Sequence, residues 1–312
     1  MRSTIYIAIA IIGFSLAFSK VNAQQLPQYS LYMFNPYIVN PAYAGVSNEV
    51  QIRSTNKYQW TGITDAPRTF NLSFTNTAFE DKAGYGGIVY TDVAGPTRRI
   101  GAQMSGAYHA QISESLKISL GLSLGFTQYA VDGDKISIRE GDDPILQTRL
   151  SSDLVFDGKA AFYLYHEKYF FGLSVPNITQ TKLEPFDDLG SIGNLDPHYN
   201  VLAGYNYELN EDITLKPSVL LKYVEPIPFR IDMNLTALYQ DRFWIGAGYR
   251  LNDGIIALAG ADLNNRMQIT YGYDILNSDL SSYSGGVHEL TLGLNFTKPE
   301  AKSKDAESIE EN

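Results

Sequence analysis

Residues 116–126 alternate strictly enough to restrict what this chain can become. Leu116, Ile118, Leu120, Leu122, Leu124 and Phe126 form one file, and Lys117, Ser119, Gly121, Ser123, Gly125 and Thr127 the other. This is the period of two of an extended strand with one apolar face. A water-soluble sheet accommodates such a strand once. A chain that repeats it many times needs an apolar solvent along every strand. The bilayer supplies one, and only a closed barrel crosses it in strands without an unpaired edge.

The pattern does repeat. After a weakly patterned first stretch at 50–58, alternation recurs at 70–74, 85–91, 100–112, 116–126, 160–164, 169–175, 199–207, 213–223, 229–239, 243–251, 255–263, 267–275 and 290–296. This predicts an all-β, up-and-down antiparallel transmembrane barrel of about 14 strands. Connections after even-numbered strands are short, as at Ser113-Glu114, Glu167-Lys168, Asn210-Glu211, Gln240-Asp241 and Asn264-Asn265. The long ones, 132–156, 176–197 and 276–286, follow odd-numbered strands. Outer-membrane barrels keep short turns in the periplasm and long loops outside, so the parity also predicts an orientation. Pro217 breaks the rule against proline in strand interiors and predicts a bulge or kink.

The amino terminus reads as a secretory signal, with Arg2, an apolar core over 5–18, and Val21-Asn22-Ala23 ahead of Gln24. Beyond it no apolar run is long enough for a membrane helix. The expected organisation is a signal peptide at 1–23, a non-barrel lead-in at 24–48, the barrel at 49–297 and a disordered acidic tail at 298–312. Export without cysteine leaves no disulfide to staple the fold. The 22 tyrosines, against 2 tryptophans, suit bilayer interfaces. A net charge of −10 without a basic patch excludes nucleic acid as a partner. The expected location is the outer membrane, with its lipid as a partner.

No chemistry is legible. Gly121-Leu122-Ser123-Leu124-Gly125 matches a nucleophile elbow, but that motif needs a strand-to-helix turn and here lies in mid-strand. His109, His166, His198 and His288 share no metal-ligand spacing. The carboxylates around 139–144 and 186–188 lack the alternation of a calcium loop. No cofactor, metal or catalytic residue is expected. Inward charges of both signs, including Arg99, Lys117, Glu208, Lys216, Arg230, Asp232, Arg250, Asp274 and Glu289, indicate a polar interior whose members can pair across strands.

The lead-in is more specific. Gln28-Tyr29-Ser30, Tyr32-Met33-Phe34-Asn35-Pro36 and Asn40-Pro41-Ala42-Tyr43-Ala44-Gly45 are aromatic and conformationally restricted, because a residue before proline avoids the helical region. Lying ahead of the first strand, the segment is expected to start on the periplasmic side, as a plug of the lower lumen or a face for a partner. With Gln59-Trp60, Gly62 and Ala66-Pro67 it resembles the opening of the PorP/SprF family, outer-membrane proteins of the type IX secretion system and gliding machinery of Bacteroidota. The resemblance continues at Leu215-Lys216-Pro217-Ser218, Lys222-Tyr223, Gly248-Tyr249-Arg250, Tyr271-Gly272-Tyr273-Asp274 and Gly285-Gly286-Val287-His288-Glu289.

The resemblance implies a non-enzymatic barrel that supports export or surface attachment of a cargo such as a gliding adhesin. It also implies association with other type IX components, among them a periplasmic peptidoglycan-binding or ring subunit. The residues carried over are Tyr32, Met33, Phe34, Asn35, Pro36, Asn40, Pro41, Ala42, Tyr43 and Gly45 as a plug or partner motif. The barrel positions are Trp60, Tyr249, Arg250, Tyr273, Asp274, His288 and Glu289. A passive porin resting on the polar inner face and an outer-membrane lipase are the alternative readings; the lipase would need a Ser-His pair facing lipid.

Overall fold

Alternation becomes a closed wall in the computed structural model, which describes residues 26–79, 81–136, 149–151, 154–183, 193–264, 266–277 and 279–297. The signal, the tail and the acidic clusters at 139–144 and 186–188 lie outside the described residues. Fourteen antiparallel strands form the barrel. They are β1 (Glu49–Tyr58), β2 (Arg68–Ala78), β3 (Ala83–Ala94), β4 (Thr97–Gln111), β5 (Lys117–Asp132), β6 (Val155–Tyr165) and β7 (Tyr169–Pro176). The second half comprises β8 (Tyr199–Tyr205), β9 (Ile213–Val224), β10 (Ile227–Tyr239), β11 (Phe243–Arg250), β12 (Gly254–Asp262), β13 (Met267–Leu276) and β14 (Val287–Thr297). Each pairs with its sequence neighbours. β1 closes on β14, from Glu49 opposite Thr297 to Tyr58 opposite His288, so the ladder has no free edge.

Burial is inverted relative to a soluble sheet. On β5 the polar file Ser119, Ser123 and Thr127 is buried inside, while Leu120, Leu122, Leu124 and Phe126 are 52–64% exposed on the outer surface. Only a lipid exterior makes that arrangement favourable. Exposed aromatic rings mark both rims of this band: Tyr58, Tyr199, Phe229 and Tyr249 near one end, Tyr85, Tyr108, Tyr169, Tyr239 and Phe243 near the other. Aromatic girdles at these depths belong to an outer-membrane barrel. The protein resides in the outer membrane.

Connections 59–67, 133–154, 177–198 and 277–286 share the end where odd-numbered strands finish, which is accordingly the outer end. Three tight turns, 95–96, 225–226 and 251–253, sit beside them. The periplasmic end has 79–82, 112–116, 166–168, 206–212, 240–242 and 263–266. The expected bulge at Pro217 is absent. Pro217 stays opposite Leu235 on β10, and the β8 side of its ladder simply lapses, stopping at Gly204 opposite Ser218 and resuming at Tyr207 opposite Leu215 in the same register. A missing N–H costs one rung without an inserted residue. The register shift of β9 lies instead between Lys222 and Val224.

Residues 26–48 run through the lumen, in the direction opposite to that expected. Tyr29 and Ser30 lie beside Lys57 and Glu289, close to the outer ends of β1 and β14. Ala44 and Gly45 lie beside His109 and Gly84, at the periplasmic ends of β4 and β3. The segment therefore descends from the outer mouth, and the chain turns back at the bottom to begin β1. Position in the sequence told which end of β1 it joins and left open how far up the lumen it reaches.

Candidate functional site

Three single-turn 3-10 helices, Tyr32–Phe34, Pro36–Ile38 and Pro41–Tyr43, shape the luminal segment. The two Asn-Pro steps account for the last two. Each proline presets the first helical dihedral, and each asparagine before it stays out of the helical region. Asn40 also caps its turn by accepting from the Ala42 N–H at 3.0 Å, while its amide donates to the carbonyls of Phe162 and Leu173 at 3.0 and 3.1 Å. Asn35 donates to Ser73 Oγ at 3.1 Å. The two motifs thus bind the segment to separate parts of the wall, β2 and the β6–β7 pair.

At the upper end the segment meets a buried ion cluster. Glu289 accepts from the backbone N–H groups of Ser30 and Leu31 at 2.7 and 3.1 Å, and lies 3.4 Å from Lys57 Nζ. Lys57 Nζ donates to the Gln28 carbonyl at 2.8 Å. Arg250 donates to Asp232 at 2.8 Å, to Asp274 at 3.0 Å and to Ser30 Oγ at 3.0 Å, while Ser30 Oγ donates to Asp274 at 2.6 Å. These five charged side chains are almost wholly excluded from solvent. Buried charges persist only when paired and hydrogen-bonded, and here the luminal segment supplies part of the set.

Lower down, backbone and wall approach closely. Gly121, in the apparent nucleophile elbow, leaves room for Ala42: a Cβ there would stand 2.5 Å from the Ala42 Cα. Gly45, with φ +82°, backs onto Gly84, where a Cβ would reach within 1.8 Å of the Ala44 carbonyl oxygen. His109 uses both ring nitrogens, on Ala44 O at 2.9 Å and Tyr165 Oη at 3.0 Å. Burial pushes the Tyr32 and Tyr37 phenols up to about 12, so both remain neutral hydrogen-bonding groups, Tyr32 with Ser218 and Tyr37 with Ser105.

Below these contacts a cavity of about 470 Å³ faces the periplasmic end. Met33, Phe34, Pro36 and Tyr43 of the segment line it, against Tyr163, Phe170 and Trp244 of the wall. Phe34 stacks on Trp244 with ring centroids 5.4 Å apart, and Tyr43 meets Tyr163 edge-on at 5.6 Å. Trp244 Nε1, Thr236 Oγ1 and Asn295 Oδ1 line the same space, buried and without hydrogen-bond partners among the described residues. Arg53 spans the wall there, donating to the carbonyls of Ile52, Leu294 and Phe34 at 3.1, 3.2 and 3.4 Å.

The structure thus divides the barrel positions marked by sequence. Arg250, Asp274 and Glu289 converge on the luminal segment. Tyr249, Tyr273 and His288 occupy the outward files next to them, with the Tyr273 and His288 rings 5.0 Å apart, and Trp60 belongs to connection 59–67. Lys57 is the cluster member not singled out in sequence. Its signal was the inward file Arg53, Thr55 and Lys57 of a weakly patterned strand. Among the described residues no cluster of His, Asp and Glu is arranged to hold a metal ion.

A family model for the type IX secretion system membrane protein PorP/SprF matches residues 21–294. No curated relative matches the chain. The toluene transporter TodX of P. putida is similar over 83% of this chain and 93% of its own, at 7% identity and a TM-score of 0.46. A Pseudomonas aeruginosa FadL homologue is similar over 88% and 94%, at 10% identity and a TM-score of 0.46. The KdgM porin is similar over 80% and 100%, at 9% identity and a TM-score of 0.40.

Proposed function

The chain belongs to the PorP/SprF family of type IX secretion system membrane proteins, and from that premise we propose a non-enzymatic accessory role in protein export. The barrel supports the transfer or surface attachment of a secreted cargo protein and couples to a periplasmic component of the machinery. The observation that carries this reading is the luminal segment. Residues 26–48 fill the barrel from the outer ion cluster downward, and their lower part frames an aromatic cavity at the periplasmic end. A filled lumen suits a coupling device better than an open conduit. An aromatic-lined recess with unpartnered polar atoms suits a protein contact from below.

Replacing Phe34 and Tyr43 together by alanine tests the proposal. The barrel is expected to fold, shown by heat-modifiable migration on gels, while cargo no longer reaches the surface and periplasmic partners are lost from pull-downs of native outer membranes. Normal secretion and normal partner recovery would refute coupling through this segment. Planar-bilayer conductance separates the porin reading: the filled lumen predicts little current, and a large steady conductance would favour a channel.

A further inference from the structure

A second, smaller cavity lies near the ion cluster, toward the outer end of the lumen, with a volume of about 80 Å³. One water needs roughly 10–15 Å³ of such space. The cavity therefore holds a few waters or one small ion with part of its shell. Leu26, Pro27, Tyr29, Ile38 and Val39 of the luminal segment line one side of it. Arg99, Lys159, Lys222 and Arg230 enter from β4, β6, β9 and β10, and His198 from just before β8. No described carboxylate lines it.

The cations are crowded in a specific way. Lys222 and Arg230 stand directly opposite each other on the β9–β10 ladder, a placement in which like charges repel. Neighbouring carboxylates bond mainly elsewhere. Asp232 and Asp274 hold Arg250, Glu289 holds Ser30, Leu31 and Lys57, and Asp92 accepts from Thr69. Asp157 accepts from Gln103 at 2.8 Å through one oxygen and keeps the other buried without a hydrogen-bond partner, one negative charge beside the four cations. Arg230 reaches only the half-exposed Asp253, at 3.7 Å. Among the described residues Lys159 and Lys222 make no hydrogen bond or ion pair. Arg99 lies over the Tyr90 and Tyr129 rings and donates to Tyr90 Oη, leaving its Nε unpartnered. His198 is buried, with Nδ1 on the Asp196 carbonyl and Nε2 unpartnered.

We propose that this outer vestibule binds a small oxyanion, a phosphate or carboxylate group, held by Lys222, Lys159, Arg230 and Arg99. Such a group neutralises the facing Lys222–Arg230 pair and supplies the acceptors that these donors lack, through charge-assisted hydrogen bonds. The apolar rim formed by Leu26, Pro27 and Ile227 leaves the group free to arrive alone or on a larger solute. The site is separate from the periplasmic cavity and stands whether or not the coupling role does.

Isothermal titration of the full chain in detergent at low ionic strength tests it, with inorganic phosphate and glucose 6-phosphate as probes and glucose as the control. Phosphate or glucose 6-phosphate is expected to bind and to raise the thermal unfolding midpoint, and glucose to do neither. Tighter binding of glucose 6-phosphate than of phosphate would assign the site to a phosphorylated solute, and equal binding to the free ion. Lys222→Gln and Lys159→Gln are each expected to weaken binding about tenfold or more, the loss of one charge-assisted bond. Lys222→Gln should also leave the ligand-free midpoint unchanged or raised, because it removes a repulsion. No binding of either anion by the native chain, or native affinity in both lysine variants, would overturn the proposal. Gel migration shows that each variant is folded.

Discussion

The two ends of the luminal segment are held by different physics. At the upper end Gln28 to Leu31 are fixed by directional bonds to Lys57, Arg250, Asp274 and Glu289. At the lower end Phe34 and Tyr43 are held by ring contacts with Trp244 and Tyr163, beside a cavity with room left over. Ionic bonds in a dry site fix one register and penalise every other, whereas apolar contacts are non-directional and survive small displacements. The contrast teaches that charge pairs fix the segment from above, while below it rests on ring packing with only single bonds from His109 to the Ala44 carbonyl and from Arg53 to the Phe34 carbonyl, at the end where a periplasmic partner would meet it.

The largest expected effect comes from breaking the anchor. Glu289→Ala leaves Lys57 short of a partner in a buried site, which costs about 3–5 kcal/mol. Denaturant unfolding in detergent should show the loss, and limited proteolysis should cut the released segment near Tyr32. Retained protease resistance would mean that the lower contacts suffice, reversing the comparison.

Gly84→Ala should cost less, about 1–3 kcal/mol, as overpacking where a Cβ meets the Ala44 carbonyl oxygen. It should displace the lower segment and leave the upper end protected. Hydrogen exchange at the Ser30 and Leu31 amides, which face Glu289, measures this; faster exchange there would show the two ends to be one rigid unit.

Phe34→Ala alone should forfeit an aromatic pair worth about 0.5–1.5 kcal/mol beyond its burial, with partner recovery falling further than stability. An equal fall would argue that the ring only fills space.

The smallest effect is on titration. Tyr32 and Tyr37 hold their protons up to about 12, above the ordinary phenol value of 10.0. Between those values the folded chain keeps protons that a released segment loses. Their contribution to holding the segment is therefore complete below pH 10 and disappears as pH passes 12. Tyr32→Phe and Tyr37→Phe should each delete one late step in tyrosinate absorbance. An unchanged late step would place that phenol in water.

The parts legible in sequence are those controlled by nearest neighbours along the chain. Alternation at Leu120, Leu122 and Leu124 set which face meets lipid, because a strand's side chains must alternate whatever its partners are. The Asn35-Pro36 and Asn40-Pro41 steps determined the local turns of the segment, since proline's ring fixes its own dihedral. Family motifs pointed to Arg250, Asp274 and Glu289 but not to what joins them. The cluster links Ser30 with residues more than two hundred positions away, and Lys57 enters it only because β1 closes on β14. The downward course of the segment, the close fit of Ala42 on Gly121, the rung lost at Pro217 and the two cavities are all consequences of closure. Closure brings distant inward files around one axis. Their mutual distances depend on shear and tilt summed over every strand, and no single stretch of sequence encodes that sum.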